Sequence, residues 1–182
     1  DINNASGSKK VVIRTHGVEQ SILKYCENNA LDYIDATCPF VKKIHKIVQK
    51  NSNKDLPVLI AGDRKHPEVI GIKSYCNGDC FVFNSADELD EIFKNNSFNN
   101  EKPFLVVSQT TFSTKEWKKC VKKIKILYTN AIIFDTICSA TEERQAEALL
   151  LSKENDAMII IGGRTSSNTA KLKAVCEPNC AT

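Results

Sequence analysis

Two cysteines stand in matching settings: Cys38 within DATCPFV (35–41) and Cys138 within DTICSAT (135–141). Each follows an apolar run and an aspartate, and each precedes a helix-like stretch. Cys38 also precedes Pro39, a residue favoured at the first helical position, so its sulfur is expected at a helix N-terminus, where the dipole favours thiolate. A thiolate so placed is a metal ligand or a nucleophile. The plainer alternative is a buried cysteine acting as a small hydrophobe, and repetition argues against it for this pair. Cys26, Cys76, Cys80, Cys120, Cys176 and Cys180 read as structural, because no four-ligand zinc spacing emerges around them.

The other candidates fall where apolar runs end. His16 follows VVIR (11–14), and His66 and Glu68 follow PVLIAG (57–62). Thr110 and Thr111 follow PFLVVS (103–108), and Ser166, Ser167 and Asn168 follow AMIIIGG (157–163). Glu68 is either a first-turn acid complementing a helix dipole or a carboxylic acid held for proton delivery, if burial raises its pKa. Ser166-Ser167-Asn168 is either an N-cap or, with the free N–H groups of a helix start, a seat for phosphate. Several such corners facing one another would hold a di- or tri-anionic head group.

The elements that must position these residues alternate. Short runs that are continuously apolar, as burial on both faces produces, alternate with amphipathic segments, which predicts parallel sheets covered by helices. Strands are expected over 11–14, 32–37, 57–62, 80–83, 103–108, 131–136 and 157–163, with a helix after each. In parallel α/β sheets ligands bind outside the carboxyl ends of strands, which is where the polar candidates sit. Placing 35–72 over 135–172 without a gap aligns Asp35 with Asp135, Cys38 with Cys138, Gly62 with Gly162 and Arg64 with Arg164. His66 then falls on Ser166 and Glu68 on Asn168. The chain therefore reads as related α/β modules with boundaries near each cysteine: 1–37, 38–137 and 138–182.

Composition narrows the function classes. The 182 residues carry 25 basic and 22 acidic side chains, interspersed, for a net charge of +3, which lacks the basic footprint of a nucleic-acid binder. No apolar run approaches the ~18 residues that cross a bilayer, and DINNASGSKK has no apolar secretion core, so a cytoplasmic setting is the default. The start without methionine and the stop soon after a helix lead us to expect a piece of a longer protein.

Taken in order, THGV, DATCPFVKKIH, GDRKHPEVIG, SQTTFS, DTICSAT and GGRTSSNT resemble the LytB family of 4-hydroxy-3-methylbut-2-enyl diphosphate reductases, over about residues 11–176. The resemblance implies three α/β modules around a pseudo-threefold axis with a central cavity. It implies reductive dehydroxylation giving isopentenyl and dimethylallyl diphosphates in the non-mevalonate isoprenoid pathway, with ferredoxin or flavodoxin as electron donor. Three cysteines, one per module, would hold a 4Fe-4S cluster, and Cys38 and Cys138 would be two of them. His16, His66, Ser166 and Asn168 would hydrogen-bond the diphosphate, with Ser167 and Thr111 nearby. Thr110 would contact the substrate hydroxyl, and Glu68 would start the proton relay. The family's first cysteine segment is not among these residues, so the chain by itself is expected to be inactive. The rivals are a non-catalytic phosphate-binding domain and a thiol enzyme using Cys38 as nucleophile.

Overall fold

The computed structural model describes residues 10–52, 55–164 and 166–182, without the side chain of Ser167. The chain divides into two compact units, 1–136 and 137–182.

In the first unit β1 (Val11–Ile13) pairs in parallel with β2 (Tyr33–Asp35), the two being joined through α1 (Gln20–Asn28). After α2 (Pro39–Asn51) come β3 (Val58–Ala61), α3 (Pro67–Lys73), β4 (Cys80–Phe83), α4 (Ala86–Asn95), β5 (Phe104–Ser108), α5 (Thr114–Leu127) and β6 (Ala131–Ile133). Strands β4-β3-β5-β6 form one sheet in that order, all pairs parallel. Every residue of the central strands β3 and β5 is buried, whereas the edge strand β6 is only partly covered. This is why VLIA and FLVVS are unbroken apolar runs: a parallel strand with helices on both faces has no solvent side.

Val58 and Ile60 of β3 and Leu105 and Val107 of β5 share one core with Ile44 and Val48 of α2 and Val69 and Ile72 of α3. Truncating a fully buried leucine or isoleucine in such a core costs about 2–5 kcal/mol. Phe104 meets Phe93, Phe98 and Tyr128 edge-on, with ring centroids 5.1–6.1 Å apart. Register places the ends of β3 and β5 side by side, Ala61 opposite Ser108, so the loops that follow emerge together.

The second unit holds α6 (Ser139–Glu154) and α7 (Ser167–Cys176), which pack on each other. Here one expectation fails. AMIIIGG is not a strand: Ala157 makes only an isolated parallel bridge to Ala181, and Ile159 and Ile161 are 88% and 92% exposed. An extended segment becomes a strand only when a neighbour supplies the ladder, and the described residues of this unit supply one bridge partner. The strand expected over 131–136 also stops at Ile133, although Phe134 N still donates to the Val106 carbonyl and Thr136 Oγ1 to that of Ser108.

Candidate active site

The turn after β1 carries His16. Gly17 closes it with φ +72 and an N–H donated to the Arg14 carbonyl at 3.0 Å. An L side chain is strained at that φ, and a Cβ there would stand 2.9 Å from His45 Cε1, so glycine is required twice over. Cys38 donates its N–H to the Thr15 carbonyl at 2.9 Å, which ties the cysteine to the histidine turn. It is the N-cap residue of α2, with Pro39 in the first turn and the thiol not spent on capping.

The loop after β3 is built tightly around Gly62, where a Cβ would meet Val69 Cγ2 at 2.7 Å. Asp63 Oδ1 accepts from Lys65 N (2.9 Å), and His66 N donates to the Asp63 carbonyl (3.0 Å). His66 then caps α3, its Nδ1 accepting from Glu68 N at 3.2 Å. An accepting Nδ1 places the proton of the neutral ring on Nε2, so the ring offers a donor away from the helix. Burial lowers the His66 pKa, and the charges of His16 and Arg14 lower it further against the opposing pull of Asp63. The His16 and His66 rings meet edge to face, centroids 5.3 Å apart.

Glu68 is only 1% exposed. Its Oε1 accepts from Thr110 N at 2.6 Å, and its Oε2 lies 2.9 Å from Thr110 Oγ1. Burial raises the carboxyl pKa, opposed by the two bonds from Thr110, so the dominant influence is desolvation of the charged form. Buried and joined to a hydroxyl, this carboxyl can store a proton and pass it on through Thr110. Thr111 Oγ1 accepts from Gln109 Nε2 (3.0 Å), and Gln109 Oε1 accepts from Asp63 N (3.2 Å), locking the β3 and β5 loops together. Gln109, not among the sequence candidates, stands directly after the apolar strand β5, the one local sign of its place in the site.

His45, in the DATCPFVKKIH segment, is the one histidine outside the strand-end candidates, and no four-ligand zinc spacing includes it. His45 is 6% exposed, stacks on Tyr75 with centroids 4.4 Å apart, and leaves Nε2 buried with no hydrogen-bond partner. Burial lowers its pKa to about 4, against a weaker upward pull from Asp35. The sign of the linkage follows: between pH 6.5 and about 4 the unfolded chain binds the extra proton, so stability is full above 6.5 and is lost as pH falls towards 4. The loss amounts to roughly 3 kcal/mol. Glu68 acts in the opposite sense, its contribution fading as pH rises through its raised pKa. Denaturation midpoints measured from pH 7 to 4 should therefore fall less steeply in His45→Asn than in the parent, and equal slopes would contradict the assignment.

In the second unit Cys138 is the N-cap residue of α6, again without a side-chain cap bond. Ser166 caps α7, its Oγ accepting from Thr169 N at 3.3 Å, so the capping role is real. Asn168 Oδ1 is buried without a hydrogen-bond partner among the described residues. Ser167 starts α7, and its side chain lies outside the described residues.

All eight cysteines are free thiols, with Cys38 and Cys138 half-buried. Among the described residues no three His, Cys, Asp or Glu side chains form a ready-made metal cluster. Each of the Cys38 and Cys138 thiols, in its own unit, is a soft donor of the kind that iron–sulfur groups take and hard cations do not. No helix among the described residues is long and apolar enough to cross a membrane.

The chain is similar to curated proteins and to solved structures. A 4-hydroxy-3-methylbut-2-enyl diphosphate reductase from Thermoanaerobacter sp. (strain X514) is 41% identical over 180 residues, 99% of this chain and 60% of the relative. The enzyme of the same name from Clostridioides difficile (strain 630) is 40% identical over 177 residues, 97% of this chain and 62% of the relative. The chain thus spans about three-fifths of these curated relatives. A solved structure of (E)-4-hydroxy-3-methyl-but-2-enyl diphosphate reductase, the terminal enzyme of the non-mevalonate pathway, matches with TM-score 0.69 and 33% identity, covering 97% of this chain and 64% of that one. The E-1-hydroxy-2-methyl-but-2-enyl-4-diphosphate reductase of Plasmodium falciparum matches with TM-score 0.83 and 26% identity, covering 100% and 57%. The family model described as LytB protein matches residues 1–182, and with parallel α/β architecture and these relatives the chain belongs to the LytB family.

Proposed function

We propose that this chain is part of a reductase that removes the hydroxyl of 4-hydroxy-3-methylbut-2-enyl diphosphate, giving isopentenyl and dimethylallyl diphosphates. The observation that carries the reading is the buried Glu68 carboxyl bonded through both oxygens to Thr110. The balance is two electrons and two protons in, one water out. Cys38 and Cys138 would hold a 4Fe-4S cluster with a third ligand from outside these residues, and such a cluster, when bound, supplies the electrons. Ferredoxin or flavodoxin is the proposed donor.

The remaining work belongs to side chains. His66 Nε2–H, His16, Thr111, Ser166, Ser167 and Asn168 bind and orient the diphosphate. Glu68, protonated, passes its proton through Thr110 Oγ1 to the departing hydroxyl, so that the C–O bond breaks and water leaves. The two electrons supplied go to the allylic fragment as its C–O pair leaves with the water, and a second proton at either terminus yields the two products. The 182 residues alone should not turn over.

The test uses the protein at the full length of its relatives, reconstituted anaerobically with iron and sulfide and supplied with a chemical reductant. Conversion of the allylic hydroxy-diphosphate to both olefinic diphosphates, one water for each two electrons, is expected. Binding of inorganic diphosphate with no conversion would favour a non-catalytic anion-binding domain instead.

A further inference from the structure

Three contacts clamp the turn that carries His16. Thr15 accepts from Cys38 N, and Gln20 N, at the start of α1, donates to Ser74 Oγ at 2.9 Å, just beyond α3. The third contact is His45. Its Cε1 lies where a Gly17 Cβ would come within 2.9 Å, and its Nε2 lies 3.4 Å from where a Gly71 Cβ would stand on α3. One imidazole therefore fills the gap between the His16 turn and the helix whose first turn carries His66 and Glu68. Tyr75 covers its face, with an interplanar angle of 21°. Two glycines on either side leave no side chain of their own to set the spacing.

We infer that His45 is a positioning residue: wedged between Gly17 and Gly71, its ring fixes the separation of His16 from His66 and thereby the shape of the diphosphate-binding corner. The ring itself makes no hydrogen bond in that gap, because Nε2 has no partner among the described residues. The ring acts by its size and stiffness. The Glu68–Thr110 pair is held independently by its own two bonds, so a loosened corner should weaken binding more than chemistry. The consequence for substrate rests on the proposed function, while the consequence for the two rings does not.

The experiment compares parent, His45→Asn, Gly71→Ala and the double variant in the full-length protein. Asparagine removes the ring atoms that reach both glycines, and a methyl on residue 71 refills part of the space. NMR is read first: a contact between the His16 and His66 ring protons is expected in the parent, lost in His45→Asn and regained in the double variant. Kinetics are read second: KM for the diphosphate should rise about tenfold in His45→Asn with kcat within about threefold, and fall back in the double variant. A purely structural role would reduce the amount of active protein without moving KM. An unchanged ring contact in His45→Asn, or an unchanged KM in an active enzyme, overturns the inference. If the parent shows no turnover, the proposed function fails, and the ring contact still decides the role of His45.

Discussion

Glu68→Gln in the full-length protein should lower kcat by about 10²–10⁴-fold, the range over which a positioned general acid contributes. Cluster content and diphosphate affinity should stay at parental levels. Glutamine keeps the shape, and its Oε1 can still accept from Thr110 N at the place where the carboxylate oxygen now lies 2.6 Å away. What it loses is the transferable proton, since its Nε2 donates to Thr110 Oγ1 without giving a proton up. An interaction used only in the transition state lowers kcat and kcat/KM equally, and that pattern is expected here. Turnover within threefold of the parent would remove Glu68 from the relay.

Cys38→Ala and Cys138→Ala should each abolish both turnover and stable iron binding. Each sulfur stands at a helix start with its backbone already bonded: Cys38 N to Thr15 O, and the Cys138 carbonyl to Thr141 N at 3.0 Å. Alanine keeps those backbone bonds and the helices, so the fold should survive while a thiolate donor is lost. Cys76→Ala is the control, a half-buried thiol outside the proposed ligand pair. It should retain iron and turnover. Loss of folding in Cys38→Ala, judged by circular dichroism, would point to packing in place of ligation.

The four-stranded sheet was readable because its central strands are buried on both faces and their sequences say so without interruption. Helix starts were readable for the same kind of local reason: Pro39 and Pro67 in first turns, Ser85 and Ser113 accepting from Glu88 N and Glu116 N. AMIIIGG misled because apolarity states a preference for burial, while a strand also needs a hydrogen-bonding neighbour. In the candidate site, His16, His66, Glu68, Thr110 and Thr111 could be found from strand ends, and the structure links them in one unit. The Glu68–Thr110 bond could not, since it joins residues on different strands whose alignment depends on sheet register. His45 was hidden by its place mid-helix, where a histidine in an apolar face gives no local sign of what it packs against.

In the proposed function Cys38 and Cys138 ligate one iron–sulfur centre. Its most direct test is the iron and sulfide content and visible absorbance of the anaerobically reconstituted full-length protein, measured beside Cys38→Ala, Cys138→Ala and Cys76→Ala. A broad charge-transfer band is expected in the parent and Cys76→Ala, and its loss together with the iron in both of the other variants. A colourless, iron-free parent, or full colour in either Cys38→Ala or Cys138→Ala, would contradict it.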